Sequence, residues 1–177
     1  NEYFSEMIDI VFKHNGTLDK IIGDELMIVY GAPLSSKDDT LRAVKTAIEM
    51  QLCIKEMNKK RKKKNEAEIL VGAGINRGNV VSGNIGSRDM MDYTVIGDTV
   101  NLGSRLCSAA SPGEILVSKS VYNGLKNDFS FNKLDPIRVK GKAEKVNIYS
   151  IKNIYWIFLN SCTQRKEIWI ISISKVL

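Results

Sequence analysis

Cysteine is scarce in this chain, and its spacing is unlike that of a metal site. The three cysteines, Cys53, Cys107 and Cys162, are far apart and odd in number. This pattern argues against a disulfide framework or a zinc site and indicates a reducing compartment. Long apolar runs are also missing, since stretches such as 154–159 fall far short of the ~20 residues that a bilayer-spanning helix needs. We therefore expect a soluble, cytoplasmic piece without a signal peptide, while a membrane anchor outside it stays an open alternative.

Negative charge is in the minority, and the excess of positive charge is concentrated in one place. The chain has 26 Lys and Arg against 20 Asp and Glu, and residues 59–64 are all basic. A basic run at a helix end is favourable beside the exposed carbonyl groups and usually forms a solvated surface. Contact with nucleic acid or an anionic membrane is the alternative. No aromatic or glycine-rich signature of a nucleic-acid-binding module accompanies the run, so we expect no nucleic-acid partner.

The length of 177 residues suits one globular domain of ordinary size. Hydrophobic periodicity and capping residues predict helices near 1–14, 39–62, 99–110 and 119–125. Turn residues between apolar runs predict hairpins near 17–30, 69–85 and around 142–144, and single strands near 93–96 and 114–118. Paired strands between helices favour an α/β (α+β), ferredoxin-like plan, in which helices flank one face of a mixed, largely antiparallel sheet.

The character of the chain changes after about Lys152. Residues 153–177 contain apolar fragments without helical periodicity, turn residues or an evident place in the sheet. We therefore predict a domain over 1–151 and a C-terminal tail over 152–177 that is appended, disordered or foreign to the domain. Trp156 and Trp169 are interpreted as aggregation-prone residues rather than site residues.

Three segments of the predicted domain resemble successive signatures of one enzyme family. They are KIIGDELMIVYGAP (20–33), DYTVIGDTVNLGSR (92–105) and VKGKAEKVNIYSI (139–151), with GINRGNVVSGNIGS (74–87) between the first two. Their order and spacing resemble the class III nucleotide cyclase catalytic domain, of the bacterial, homodimeric adenylate cyclase type. The resemblance implies the ferredoxin-like cyclase fold and conversion of a nucleoside triphosphate to a 3′,5′-cyclic monophosphate and pyrophosphate. It also implies a head-to-tail homodimer with substrate at the interface.

Within this resemblance, Lys20 and Thr94 fall at the positions that read the purine base. Lysine is a donor only, so it can pair with N1 of adenine but not with the protonated N1 of guanine. Thr94 offers an acceptor for the adenine 6-amino group, whereas similar guanylyl cyclases tend to carry Glu and Cys at these two positions. The pair therefore favours ATP and an adenylate cyclase in signalling, with guanylate cyclase as the alternative. Thr94 as an ordinary β-branched strand residue also stays open.

Three further residues are similar to family residues that act on ribose and phosphate. Asn101 and Arg105 are four positions apart and thus on one helix face. The resemblance implies that Asn101 orients the ribose and that the planar, always charged Arg105 stabilises charge on the phosphate in the transition state. Lys140 is similar to the lysine that contacts the terminal phosphates, with Lys142 as the alternative, although either could be an exposed hairpin lysine.

Asp24 falls where the family keeps one of two metal-binding aspartates. A carboxylate at a hairpin tip suits Mg²⁺ or Mn²⁺, and the family implies two ions that activate the ribose 3′-hydroxyl and neutralise triphosphate charge. The alternative is that Asp24 only forms the turn. The family's first aspartate lies on a strand before the opening helix, and neither Asp9, in mid-helix, nor Asp19, at the start of a strand, replaces it.

This departure predicts a chain that is truncated at its N-terminus and lacks one central strand and half of the metal site. We expect the full-length protein to carry an upstream sensor or membrane domain, and this piece alone to have activity near background. A catalytically incomplete regulatory half is the alternative.

Overall fold

The computed structural model describes residues 2–87, 90–138, 144–152 and 169–176. These residues form the helices α1 (Glu2–Lys13), α2 (Asp39–Lys63), α3 (Asp98–Ala109) and α4 (Lys119–Leu125). The strands are β1 (Thr17–Ile22), β2 (Glu25–Tyr30), β3 (Leu70–Arg77), β4 (Val81–Ser87), β5 (Met90–Ile96), β6 (Ile115–Ser118), β7 (Phe131–Lys133), β8 (Ile148–Ile151) and β9 (Trp169–Val176). Every predicted helix, and each predicted strand up to β6, is confirmed, whereas β7 and β9 were not predicted. Of the closing hairpin predicted around 142–144, β8 and the pairing of Ile137 with Val146 are described, and residues 139–143 lie outside the described residues.

Seven of the strands form one sheet, in the order β1-β2-β9-β3-β6-β8-β7, and β4 and β5 form a separate ribbon. β3 and β6 run parallel, whereas the other described pairs are antiparallel. The predicted α+β class with a mixed, largely antiparallel sheet is thus confirmed.

The prediction that β3 and β4 pair as a hairpin is wrong. β4 pairs only with β5 among the described strands, from Val81 opposite Ile96 onward. Two hydrogen bonds explain the departure of the chain from the sheet. Asn76 Nδ2 donates to the Thr99 carbonyl oxygen at 2.8 Å, and Thr99 Oγ1 donates to the Asn79 carbonyl oxygen at 2.7 Å. The connection after β3 is therefore tied to the first turn of α3 and not to a neighbouring strand.

The two faces of the large sheet are covered by different helices, which corrects the expectation that all helices flank one face. Residues of α1, α2 and α4 share one buried cluster with Leu26, Ile28, Ala73 and Ile75 of the sheet. α3 packs on the opposite face, where β3 carries Gly72 and Gly74; their missing side chains let the helix backbone approach. In the described part of the chain, no helix combines the length and the apolar character needed to span a membrane.

Strand β9 lies between β2 and β3 and is antiparallel to both. For these eight residues the expectation that the tail has no place in the sheet is wrong. Ile171 is in register with Ile28 and Ile75 of the two neighbouring strands. Residues 153–168 of the predicted tail lie outside the described residues.

Candidate functional site

An irregularity in β1 decides which way Lys20 faces. Leu18 pairs with Ile28, and Lys20 pairs with Met27, so the register shifts at Asp19. Side chains two residues apart in a regular strand lie on the same face, and an extra bulge residue breaks that rule. Leu18 packs against the cluster under α1 and α2, whereas Met27 belongs to a second cluster on the opposite face. The bulge thereby moves Lys20 off the face that α1 and α2 cover.

Thr94 lies beside the bulge that turns Lys20 toward the face of Met27. The ribbon strand β5 meets that face through Val95, which packs in the cluster that contains Met27. Thr94 itself is only 4% exposed, and its Oγ1 donates a hydrogen bond to Asp19 Oδ2 at 2.9 Å. The two residues predicted to read the base are therefore brought together, since Thr94 contacts the residue next to Lys20.

Sequence reasoning missed Asp19 as a member of this group. From the sequence alone, Asp19 is interpreted only as the start of a strand and as a residue that does not replace the family's first metal aspartate. The available signal was an acidic residue directly before the predicted base-reading lysine. Its contact with Thr94 joins residues 75 positions apart, which local patterns do not reveal.

Asn101 and Arg105 are placed by α3 on this same face of the sheet. Val100, directly before Asn101, packs against the cluster of Met27 and Val95. Asn101 is exposed and Arg105 is half-buried, so both can meet a ligand. The helix that carries them is anchored at its start by the bonds of Thr99 described above and along its length by the glycines of β3.

The predicted hairpin tip at Asp24 is confirmed, and it reaches α3. Gly23 has φ of +63°, a conformation that favours glycine, and Asp24 beside it is half-buried. Burial raises the pKa of the neighbouring Glu25; a hydrogen bond with Ser104 opposes this, and the charge of Asp24 adds to it. Ser104 precedes Arg105, so the tip contacts α3 one residue away from the predicted transition-state arginine.

A buried tyrosine lies near the same tip. Tyr3 of α1 is 7% exposed, and its hydroxyl has no hydrogen-bond partner among the described residues. Burial raises its pKa well above the usual range, and nearby Cys107 and Asp24 raise it further. The Tyr3 hydroxyl is therefore neutral at ordinary pH.

The metal prediction can be tested against the carboxylates present. The described residues contain no group of three or more His, Cys, Asp or Glu side chains that could hold an ion. Mg²⁺, however, is commonly held by one or two carboxylates together with substrate phosphates and water. The half-exposed Asp24, with Glu25 next to it, fits this kind of site for one ion. Lys140 and the alternative Lys142, predicted to contact phosphate, lie outside the described residues.

Comparison with known proteins finds members of one enzyme family. A family model described as the adenylate and guanylate cyclase catalytic domain matches residues 1–153. An adenylate cyclase of Anabaena cylindrica is 35% identical over 161 residues, covering 86% of this chain and 31% of the relative. The crystal structure of the adenylyl cyclase CyaB from P. aeruginosa has a TM-score of 0.79 at 35% identity, covering 86% of this chain and 80% of that one. The guanylyl cyclase Cya2 has a TM-score of 0.77 at 34% identity, covering 91% and 82%.

The chain belongs to the adenylate and guanylate cyclase catalytic domain family, as its three motifs predicted. It spans about a third or less of the length of the curated relatives it matches. The similar structures include both an adenylyl and a guanylyl cyclase, at nearly equal identity. Family membership therefore establishes a nucleotide cyclase domain. It does not by itself decide between adenine and guanine as the base of the substrate.

Proposed function

We propose that this chain supplies an adenine-selective half-site of an adenylate cyclase, which converts ATP to 3′,5′-cyclic AMP and pyrophosphate. The observation that carries the proposal is the hydrogen bond from Thr94 to Asp19, the residue directly before Lys20, at the bulge that turns Lys20 toward the face of Met27. Lysine donates to the unprotonated N1 of adenine, and the threonine oxygen accepts from the 6-amino group. Guanine presents a protonated N1 and a 6-keto oxygen, so both contacts would be lost.

The reaction assigned to the site is in-line attack of the ribose 3′-hydroxyl on the α-phosphorus of ATP. Asn101 would orient the ribose, and Arg105, on the same face of α3, would stabilise the charge that develops on the phosphate. A guanidinium is suited to that role because it stays charged and offers a planar fork of donors. Lys140 is proposed to hold the terminal phosphates.

Asp24 would hold Mg²⁺ or Mn²⁺. When bound, the ion supplies neutralisation of triphosphate charge and lowers the pKa of the attacking hydroxyl.

A second copy of the chain is the proposed partner. β1 is an edge strand of the large sheet. Ile21 and Ile22 of β1 are 50% and 54% exposed, and Tyr93 of the ribbon is 52% exposed. These residues directly follow Lys20 or precede Thr94 in the sequence. Exposed large apolar side chains beside the proposed base site support a contact surface there, which a homodimer would bury.

Complementation tests the proposal. The partner is a cyclase subunit that has both metal carboxylates but lacks the asparagine and arginine of its own helix. Alone, the chain should give activity near background; mixed with this partner, it should produce cyclic AMP from ATP and much less cyclic GMP from GTP. Arg105→Ala and Arg105→Lys should abolish the rescue, because neither keeps the guanidinium fork. Arg61→Ala is the matched control, since Arg61, near the end of α2, pairs with Glu66 at 3.0 Å and donates to the Ala67 carbonyl oxygen, and is given no role at the proposed site.

Formation of a heterodimer without cyclic nucleotide would overturn the proposal. One alternative is a cyclase-homology half that binds nucleotide without turning it over. That alternative predicts ATP binding by the chain but no rescue. Guanylate cyclase predicts rescue with GTP. The double variant Lys20→Glu with Thr94→Cys should move the preference from ATP toward GTP if the base contacts are assigned correctly.

A further inference from the structure

We propose that Asp19 is a positioning residue that determines the base selectivity of this site by fixing the direction of the Thr94 hydroxyl. The inference rests on the proposed function, because it concerns the same base-reading pair. Asp19 is not itself offered as a contact to the base. It acts through Thr94, whose Oγ1 lies 2.9 Å from Asp19 Oδ2.

The chemistry of the two partners sets the direction of this bond. A hydroxyl has one hydrogen to donate and two lone pairs that accept, whereas an ionised carboxylate only accepts. Thr94 must therefore donate its single hydroxyl hydrogen to Asp19. Because Thr94 is 4% exposed, water competes poorly for that hydrogen. Toward a ligand, Thr94 Oγ1 can therefore only accept a hydrogen bond.

This polarity distinguishes the two purines at their 6-position. The 6-amino group of adenine donates and matches an acceptor, whereas the 6-keto oxygen of guanine meets a lone pair with no hydrogen between them. A threonine without Asp19 could rotate its hydroxyl and donate to guanine instead. Threonine is therefore selective only while the carboxylate holds its hydrogen.

The bulge in β1 explains how Asp19 and Lys20 can serve one base. Neighbouring residues of a regular strand face opposite sides of the sheet. Here Asp19 contacts Thr94, and Lys20 is in register with Met27, which packs with Val95 of the same ribbon. The one extra residue thus places the donor Lys20 and the carboxylate that orients Thr94 on the same side.

A purely structural role for Asp19, tying β1 to the β4–β5 ribbon, makes a different prediction. Loss of such a tie would weaken the binding of ATP and GTP equally. Loss of the orienting role should lower the ratio of the two affinities, mainly by improving the binding of GTP. The ratio is therefore the informative measurement.

The test measures equilibrium binding of non-cyclisable ATP and GTP analogues, with Mg²⁺ present, to the full 177-residue chain and its variants. Asp19→Asn keeps the shape but introduces an amide that can donate to Thr94, which frees the hydroxyl to turn. We expect the ratio of ATP to GTP affinity to fall about tenfold, the size of one hydrogen bond gained or lost. Asp92→Asn is the matched control, because it removes the same charge from an exposed position of β5, and its ratio should equal that of the unaltered chain.

A double-mutant cycle identifies the route of the effect. In a Thr94→Val background, Asp19→Asn should leave the ratio unchanged, because no hydroxyl remains to be oriented. Asp19→Ala gives a second substitution with the same expected direction if the asparagine variant fails to fold. If the unaltered chain prefers ATP and the Asp19 variants keep this preference, the inference is overturned, whereas the proposed function is not affected. An unaltered chain without preference for ATP would overturn both.

Discussion

The contact between α3 and β3 gives a prediction that can be worked out from the structure. A β-carbon added at Gly74 would lie 2.1 Å from the Cys107 amide nitrogen and 2.6 Å from the Gly103 carbonyl oxygen. Ordinary contacts of a β-carbon begin near 3.4 Å, so Gly74→Ala requires α3 to move away by about 1.3 Å. The clashing atoms belong to the helix backbone, and no side-chain rotation can relieve them.

Overpacking of a close-packed interior usually costs about 1–3 kcal/mol. A clash with backbone falls at the upper end, so we expect Gly74→Ala to lower the free energy of unfolding by about 3 kcal/mol. For a domain of this size, that corresponds to a fall in Tm of roughly 6–12 °C. Because α3 carries Asn101 and Arg105, the same displacement should reduce the rescue of cyclic AMP synthesis in the complementation assay.

Thermal unfolding followed by far-ultraviolet circular dichroism measures the effect. The control is Gly83→Ala in β4, where an added β-carbon meets no atom within 4 Å. This control should leave Tm unchanged or raise it slightly, since alanine is less costly to order than glycine. If Gly74→Ala unfolds within a degree or two of the control, the close approach of α3 to β3 is not what holds the helix in place.

Two further predictions concern the core and the added strand. Burial raises the pKa of Tyr30 to about 12, even though Thr46 and Arg42 oppose the shift. The buried neutral hydroxyl therefore stabilises the fold fully below the unfolded pKa of about 10. As pH rises to 12, the free energy of unfolding should fall by about 2–3 kcal/mol. Urea unfolding at several alkaline pH values should show a flatter decline for Tyr30→Phe, and parallel curves would contradict the assignment. Ser172→Pro removes an N–H from β9, which pairs on both sides, so its unfolding midpoint should fall while that of Ser172→Ala stays near the unaltered value. Equal midpoints for the two variants would mean that β9 does not stabilise the sheet.

Local signals in the sequence were sufficient to predict the first hairpin and the helices. The hairpin predicted near 17–30 is confirmed as Thr17–Ile22 and Glu25–Tyr30, because Gly23 takes a positive φ that suits a tight turn between apolar runs. The periodicity of α1, α2 and α3 reflects burial along one stripe of each helix, which a short window of sequence contains. The site residues carried by these elements were therefore placed on the right strands and helix.

Partner choice between strands was the part that the sequence did not reveal. The pairing of β4 with β5, and its absence between β4 and β3, follows from bonds of Asn76 and Asn79 to Thr99, about twenty positions away. β9 was missed for a different reason. Residues 171–174, Ile-Ser-Ile-Ser, do alternate as a strand would. However, their partner strands β2 and β3 lie about 140 and 100 positions away in the sequence, so no local turn connects β9 to a neighbour.

The position of β9 also bears on how Asp24 could hold a cation. β9 is the strand beside β2, and its residues, WIISISKV, include no Asp or Glu. Glu25, the other carboxylate at the tip, is engaged in a hydrogen bond with Ser104 of α3. Asp24 is then the main protein ligand that this chain offers at the tip, and an ion there would depend on oxygens from a triphosphate for much of its coordination. We therefore infer that cation and nucleotide bind to this chain cooperatively, each raising the affinity of the other by the same factor.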